Sequence, residues 1–259
     1  MNETTLSPLA YDLFDERPIV VCIHAFPCDR RMWRRQIEEL SQYVHILTLD
    51  LPGFGDSTDV SAPPDLDVWA DLVNTAIGQS IGDEPAVLCG LSMGGYVALR
   101  LAARHPERLE ALILADTRAG ADTPEGIDAR NRAIREIRFN GVAPLAEHLL
   151  PRLLSPEADP EEVAFARELI LEQNPEAVIN ALGAMRDRPD STAVLSDIHV
   201  PTLIIVGAAD ALTPPADAEA MARELEDVWL VKIPATGHLS NLEAPVQFNM
   251  AVKGFLETL

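Results

Sequence analysis

The spacing of its apolar runs most constrains what this chain can fold into. PIVVCIH (18–24), VHILTLDLP (44–52), AVLCGLS (86–92), LEALILAD (109–116), PTLIIVGAAD (201–210) and VWLVKIP (228–234) are short and rich in branched side chains. They lack the polar alternation of a half-exposed strand, so they predict strands buried on both faces. Segments with helical spacing lie between them: RRMWRRQIEEL (30–40), DLDVWADLVNTAIGQSI (65–81) and GYVALRLAARH (95–105), with PVQFNMAVKGFLETL (245–259) at the end. Asp65 stands where it can cap the second, and Pro106 closes the third. Strands alternating with helices predict an α/β class fold, a mostly parallel sheet with helices on both faces. At 259 residues and 47% apolar content, one large core, or a core with an inserted lobe, is within reach.

The rhythm breaks between residues 118 and 190. Four helices are predicted there, over 125–140, 143–153, 160–172 and 175–185, punctuated by Gly141, Pro144, Pro156, Pro160 and Pro175. An ordinary crossover is far shorter than roughly 70 residues. The segment 118–190 therefore reads as a helical lid inserted into a core made of 1–117 and 191–259.

Charge narrows the function classes. Forty-one acidic residues against 20 basic ones give a net charge of −21. Nucleic-acid binding needs a basic surface, and anionic membranes also favour one. Neither partner is expected. Lys232 and Lys253 are the only lysines, a composition that suits a salty habitat or reflects simple bias. Cys22, Cys28 and Cys89 are an odd count without metal-ligand spacing, and Cys22 and Cys89 sit in strand-like runs, so buried thiols are expected. The opening MNETTLSPLAYDLFDE is acidic and lacks a basic-then-apolar leader, so a cytoplasmic protein is expected.

One strand exits into chemistry. AVLC runs into GLSMGG, where Gly90-Leu91-Ser92-Met93-Gly94 fits G-x-S-x-G with a strand before and a helix after. Composition alone produces that pattern in roughly one chain of this length in ten, so the strand–turn–helix context matters. The turn forces the serine into a strained conformation and sets its hydroxyl over the positive end of the following helix. Glycines flank it because side chains there would collide.

A nucleophilic serine needs a base, an acid and an oxyanion site. Of six histidines, His105 ends a helix, His45 and His199 adjoin strands, and His148 lies in the lid region; each suits scaffold or surface. His238 sits in ATGHLSNLEAP, a polar loop just after the last strand, and is the candidate base. Asp210 follows the strand LIIVG and is the candidate acid, giving the chain order Ser, Asp, His. Asp116, at the end of LILAD, and Asp50, before PGFGDS, are its rivals; the first would bond local amides and the second would fix its loop. The backbone N–H groups of Met93 and Phe26 are the candidate oxyanion donors. His24 is expected to brace the loop that carries Phe26.

IHAFPCDRRMW, DLPGFGDS, GLSMGGYVAL, GAADALTPP and GHLSNLEAP occur in the order of the α/β-hydrolase fold superfamily. Over nearly its whole length the chain resembles small bacterial carboxylesterases related to 3-oxoadipate enol-lactone hydrolases. ADTRA (115–119) and MRDRPDS (185–191) at the two lid borders add to the likeness. The resemblance implies the triad Ser92, Asp210 and His238, the oxyanion amides of Phe26 and Met93, and a cap inserted after the sixth strand. One position departs from the pattern. Ala25 follows His24 where the family has glycine, and a positive φ there would strain it.

The expected activity is hydrolysis of small to medium carboxylic esters through an acyl-enzyme, by a monomer or small homo-oligomer without metal or organic cofactor. Apolar residues from 139–154 and 178–185 should roof the pocket. A lactone is an alternative substrate, and its carboxylate would call for a cation such as Arg118 or Arg138. Perhydrolysis with the same triad and small-molecule reception on the same fold are further alternatives. A haloalkane dehalogenase would need a carboxylate where Ser92 stands.

Overall fold

The computed structural model describes residues 18–259 in full and 11–14 as backbone. The acidic opening segment, on which the leader reading rests, otherwise lies outside the described residues. Seven strands form one sheet: β1 (Tyr11–Phe14), β2 (Ile19–Ile23), β3 (His45–Leu49), β4 (Ala86–Leu91), β5 (Leu109–Ala115), β6 (Thr202–Gly207) and β7 (Val228–Ile233). Their order is β1-β3-β2-β4-β5-β6-β7. β1 pairs antiparallel with β3, and all other pairings are parallel. Six strands match the apolar runs. β1, the short YDLF, has no such run and was not expected.

Successive residues of the buried strands feed two cores. Val21, Ile23, Leu88, Leu112 and Ile204 face α2 (Leu66–Ile81) and α3 (Met93–Arg104), packing with Trp69, Val73 and Leu99. Val20, Cys22, Val87, Ile113 and Ile205 face the other way, toward α1 (Arg34–Leu40) and α10 (Pro245–Leu256), with Trp33, Phe248 and Phe255. Each large side chain removed from water contributes about 1.5–3 kcal/mol, so both helical layers are held on. All three cysteines are buried and free. Asp65 caps α2 by accepting from the Asp67 N–H at 2.7 Å. Among the described residues, no helix is long and apolar enough to cross a membrane.

Four helices intervene between β5 and β6: α4 (Pro124–Asn140), α5 (Ala143–Leu153), α6 (Pro160–Leu171) and α7 (Pro175–Arg186). Each carries proline in its first turn, where no intrahelical N–H bond is lost. Thr123, Asp159 and Asn174 cap three of them. The insertion follows the fifth described strand, not a sixth as the resemblance implied, because only one strand, β1, adds to the four apolar runs that precede it. Buried Glu162 ties α6 to the core through Arg34 at 2.8 Å and Arg35 at 2.9 Å. The shorter helices α8 (Pro215–Glu224) and α9 (Ser240–Glu243) complete the chain.

Candidate active site

Ser92 sits between β4 and α3 with φ +55° and ψ −111°. Gly90 and Gly94, two residues to either side, allow this because they lack side chains. A Cβ on Gly90 would lie 2.3 Å from the Gly94 carbonyl oxygen. A Cβ on Gly94 would lie 2.1 Å from that of Ile23, in β2. Both obstacles are backbone, so they cannot rotate away. Gly94→Ala is therefore expected to destabilise the fold by about 3 kcal/mol, lowering the melting temperature by roughly 6–12 °C. An unchanged thermal midpoint would show that α3 does not need this close approach.

The three sequence-distant residues converge at the carboxyl edge of the sheet. His238 Nε2 lies 2.8 Å from the Ser92 hydroxyl, and its Nδ1 lies 2.7 Å from Asp210 Oδ2. The two contacts assign the neutral ring: Nδ1–H donates to the carboxylate and Nε2 accepts from the serine. His238 is 2% exposed and Asp210 4%, so the line is shielded from water. Asp210 Oδ1 accepts from the N–H groups of Leu212 (2.7 Å) and Thr213 (3.0 Å). The Thr213 hydroxyl donates to Oδ2 at 2.7 Å and lies 3.2 Å from His238 Nδ1. Burial alone would raise the Asp210 carboxyl, but the His238 bond and charge with the Thr213 donors outweigh it and hold it below the ordinary carboxylate range.

The rival acids have other work. Asp116 is wholly buried, and its Oδ1 accepts from the Gly207 N–H at 2.8 Å. Burial, opposed by the His238 charge and reinforced by Asp210, pushes its carboxyl up to about 7. Asp50 accepts from the N–H of Arg30 at 2.7 Å and of Asp56 at 2.9 Å, fixing the PGFGDS loop. His24 braces the neighbouring loop: its Nε2 accepts from the Leu51 N–H at 3.0 Å and its Nδ1 lies 3.0 Å from the Ala25 carbonyl. Non-glycine residues with positive φ among those described are Ser92, Asp116 and Ala235. Ala25 is not one of them, so the alanine carries no such strain. No hydrogen bond within the described residues occupies the Phe26 or Met93 N–H.

A cavity of about 340 Å³ opens onto Ser92 and His238. Leu145, Leu149, Leu153, Leu182 and Met185 roof it, within the expected segments, and α4 adds Ala129 and Ala133. The cavity is not wholly apolar. Asp122, its side chain 1% exposed, accepts from Arg118 at 3.0 Å, Arg188 at 2.7 Å and Arg130. One carboxylate thus faces three guanidiniums, two of which, Arg118 and Arg130, line the cavity with Arg152 and His148. Arg138 does not line it. His148 was expected to be scaffold or surface; it is exposed yet borders the cavity. His105 is bound by Asp71 at 2.8 Å, and His199 is on the surface. Sequence reasoning missed Thr213, three residues after Asp210, and Asp122, four after Arg118. The i,i+4 spacing hints at the second pair, but nothing local points to Arg130 or Arg188.

The sequence profile of the alpha/beta hydrolase family matches residues 20–251. The chain belongs to that family. It is similar to the pimeloyl-[acyl-carrier protein] methyl ester esterase of Neisseria meningitidis serogroup C, 32% identical over 92% of this chain and 93% of that one. It is also similar to 3-oxoadipate enol-lactonase 1 of Acinetobacter baylyi, 29% identical over 95% and 91%. Among solved structures, a thermophilic esterase from Thermogutta terrifontis superposes with a TM-score of 0.93 at 37% identity, covering 96% of this chain and 93% of that one.

Proposed function

We propose that this hydrolase is a serine carboxylesterase that acts on small to medium esters through an acyl-enzyme, with 118–190 as its cap. The observation that carries the reading is the continuous line Ser92–His238–Asp210, at 2.8 and 2.7 Å. Esterases among the similar proteins support it.

The geometry supplies each step. Ser92 Oγ attacks the ester carbonyl carbon while its proton passes to His238 Nε2. The carbonyl electron pair moves onto oxygen, where the N–H groups of Phe26 and Met93 receive it. Such a donor is worth about 2.7–4 kcal/mol in comparable sites. Met93 begins a 12-residue helix, whose dipole favours the same negative charge. The tetrahedral species collapses, the C–O bond to the alcohol breaks, and His238 returns the proton to the leaving oxygen. Water then attacks the acyl carbon, loses a proton to His238, and releases the acid as Ser92 is reprotonated. Asp210 holds the ring and stabilises its cation throughout. The test is turnover of a chromogenic short-chain ester by the wild type and by Ser92→Ala.

A second reading, lactone or ester hydrolysis with a carboxylate on the acid portion, is favoured by the excess of guanidinium at the cavity wall. It agrees with the enol-lactonase among the relatives. On that reading Arg118→Leu should raise KM for a carboxylate-bearing ester about 10- to 100-fold, the loss of one charge-assisted bond. A neutral ester of equal length should be nearly unaffected. Equal effects on both substrates would remove the carboxylate from consideration.

A further inference from the structure

The three loops that carry the candidate triad all fasten to one short segment, Ala115-Asp116-Thr117, at the end of β5. The Ala115 carbonyl accepts from the Ser92 N–H at 2.9 Å. The Thr117 hydroxyl donates to the Ser92 carbonyl at 2.8 Å. Between them, Asp116 reaches in the other direction. Its Oδ1 accepts from the N–H of Gly207, three residues before Asp210, at 2.8 Å. Its Oδ2 accepts from the Ser240 N–H at 3.3 Å and from the Ser240 hydroxyl, two residues after His238. The Asp116 N–H itself donates to the Ile205 carbonyl of β6 at 2.8 Å.

Asp116 makes these contacts from a left-handed backbone, φ +43°, at zero exposure. A non-glycine residue in that region is strained, and a buried carboxyl is unfavourable unless its oxygens are bonded. Both penalties are borne at one residue whose bonds go to the acid loop and the base loop. A residue needed only to end β5 would require neither.

We propose that Asp116 is a positioning residue of the candidate triad, a clamp that sets the distance between the Asp210 loop and the His238 loop. This rests on the triad reading above. Misplacing a catalytic group by about 1 Å can lower a rate about 100-fold. The charged and titratable groups facing Asp116 are His238 on the loop after β7 and Asp210 on the loop after β6.

The experiment compares wild type, Asp116→Asn, Asp116→Ala and Ser240→Ala on a neutral chromogenic ester, recording kcat, KM and melting temperature. Asp116→Ala is expected to lower kcat about 10- to 100-fold with KM within about twofold. Asp116→Asn keeps an acceptor for Gly207 and should recover part of kcat, whereas a purely structural role would show no such recovery at matched stability. Ser240→Ala removes the hydroxyl but leaves the fold of β5 untouched; it should lower kcat a few-fold and decides the matter if Asp116→Ala does not fold. Unchanged kcat in the folded variants, even with a lowered melting temperature, would overturn the clamp. If Ser92→Ala is inactive while the Asp116 and Ser240 variants match wild type, only the clamp fails. If Ser92→Ala keeps full turnover, the triad reading itself fails.

Discussion

Ser92→Ala is expected to lower kcat for a short-chain ester by about 10⁴- to 10⁶-fold, with the protein still folded. The substitution removes one oxygen from a residue 8% exposed, and alanine meets the same positive φ that serine already tolerates. Stability should therefore change little. The size of the kinetic effect follows from the shared proton path: without the Ser92 hydroxyl, His238 has no nucleophile to activate. His238→Ala should cost about as much, and the double variant little more than either single one, because the two act as a unit. Phe26 and Met93 amides remain, so a residual rate above that in water is expected. Full multiplicative loss in the double variant would mean that the two residues act independently, contrary to their 2.8 Å contact.

Asp210→Asn is expected to reduce kcat about 10⁴-fold near neutral pH while leaving the backbone in place. The Leu212 and Thr213 N–H groups both bond Oδ1, which the carboxamide retains. The replaced atom is Oδ2, the acceptor for His238 Nδ1. An NH₂ there turns Nδ1 into an acceptor and moves the ring proton to Nε2, which can no longer take a proton from Ser92. The same carboxylate adds a pH dependence to stability. Its folded pKa lies below the unfolded value of about 3.9, so its contribution is fully present above that value. That contribution is lost as pH falls through about 4 toward the lower folded value. Denaturant midpoints between pH 6 and pH 3 should fall more steeply for wild type than for Asp210→Asn. Parallel slopes, or an Asn variant with wild-type kcat, would transfer the acid role elsewhere.

Much of the scaffold was legible because its causes are local. Continuous apolar runs such as PIVVCIH can satisfy neither face in water, so they mark buried strands. The prolines at 144, 160 and 175 lie in the first turns of helices for reasons contained within those turns. β1 escaped notice because YDLF is brief and carries an acid; it forms by pairing antiparallel with β3, which no local pattern encodes.

The amino-acid order alone determined the glycine-flanked serine between a strand and a helix, and the succession of serine, aspartate and histidine that each follow a strand. Only the folded sheet decided which carboxylate meets His238. Asp210 and Asp116 both end apolar strands between the serine and the histidine; the sequence favours Asp210 as the acid, but no local pattern sets either carboxylate against the imidazole. Selection came from which strand's exit loop lies beside the imidazole and which instead bridges Gly207 and Ser240. The gathering of Arg118, Arg130 and Arg188 around Asp122 was decided the same way. Steric and hydrogen-bonding preferences act over a few residues and are written in the sequence; contacts across 28 or 146 residues exist only once packing has fixed the distances.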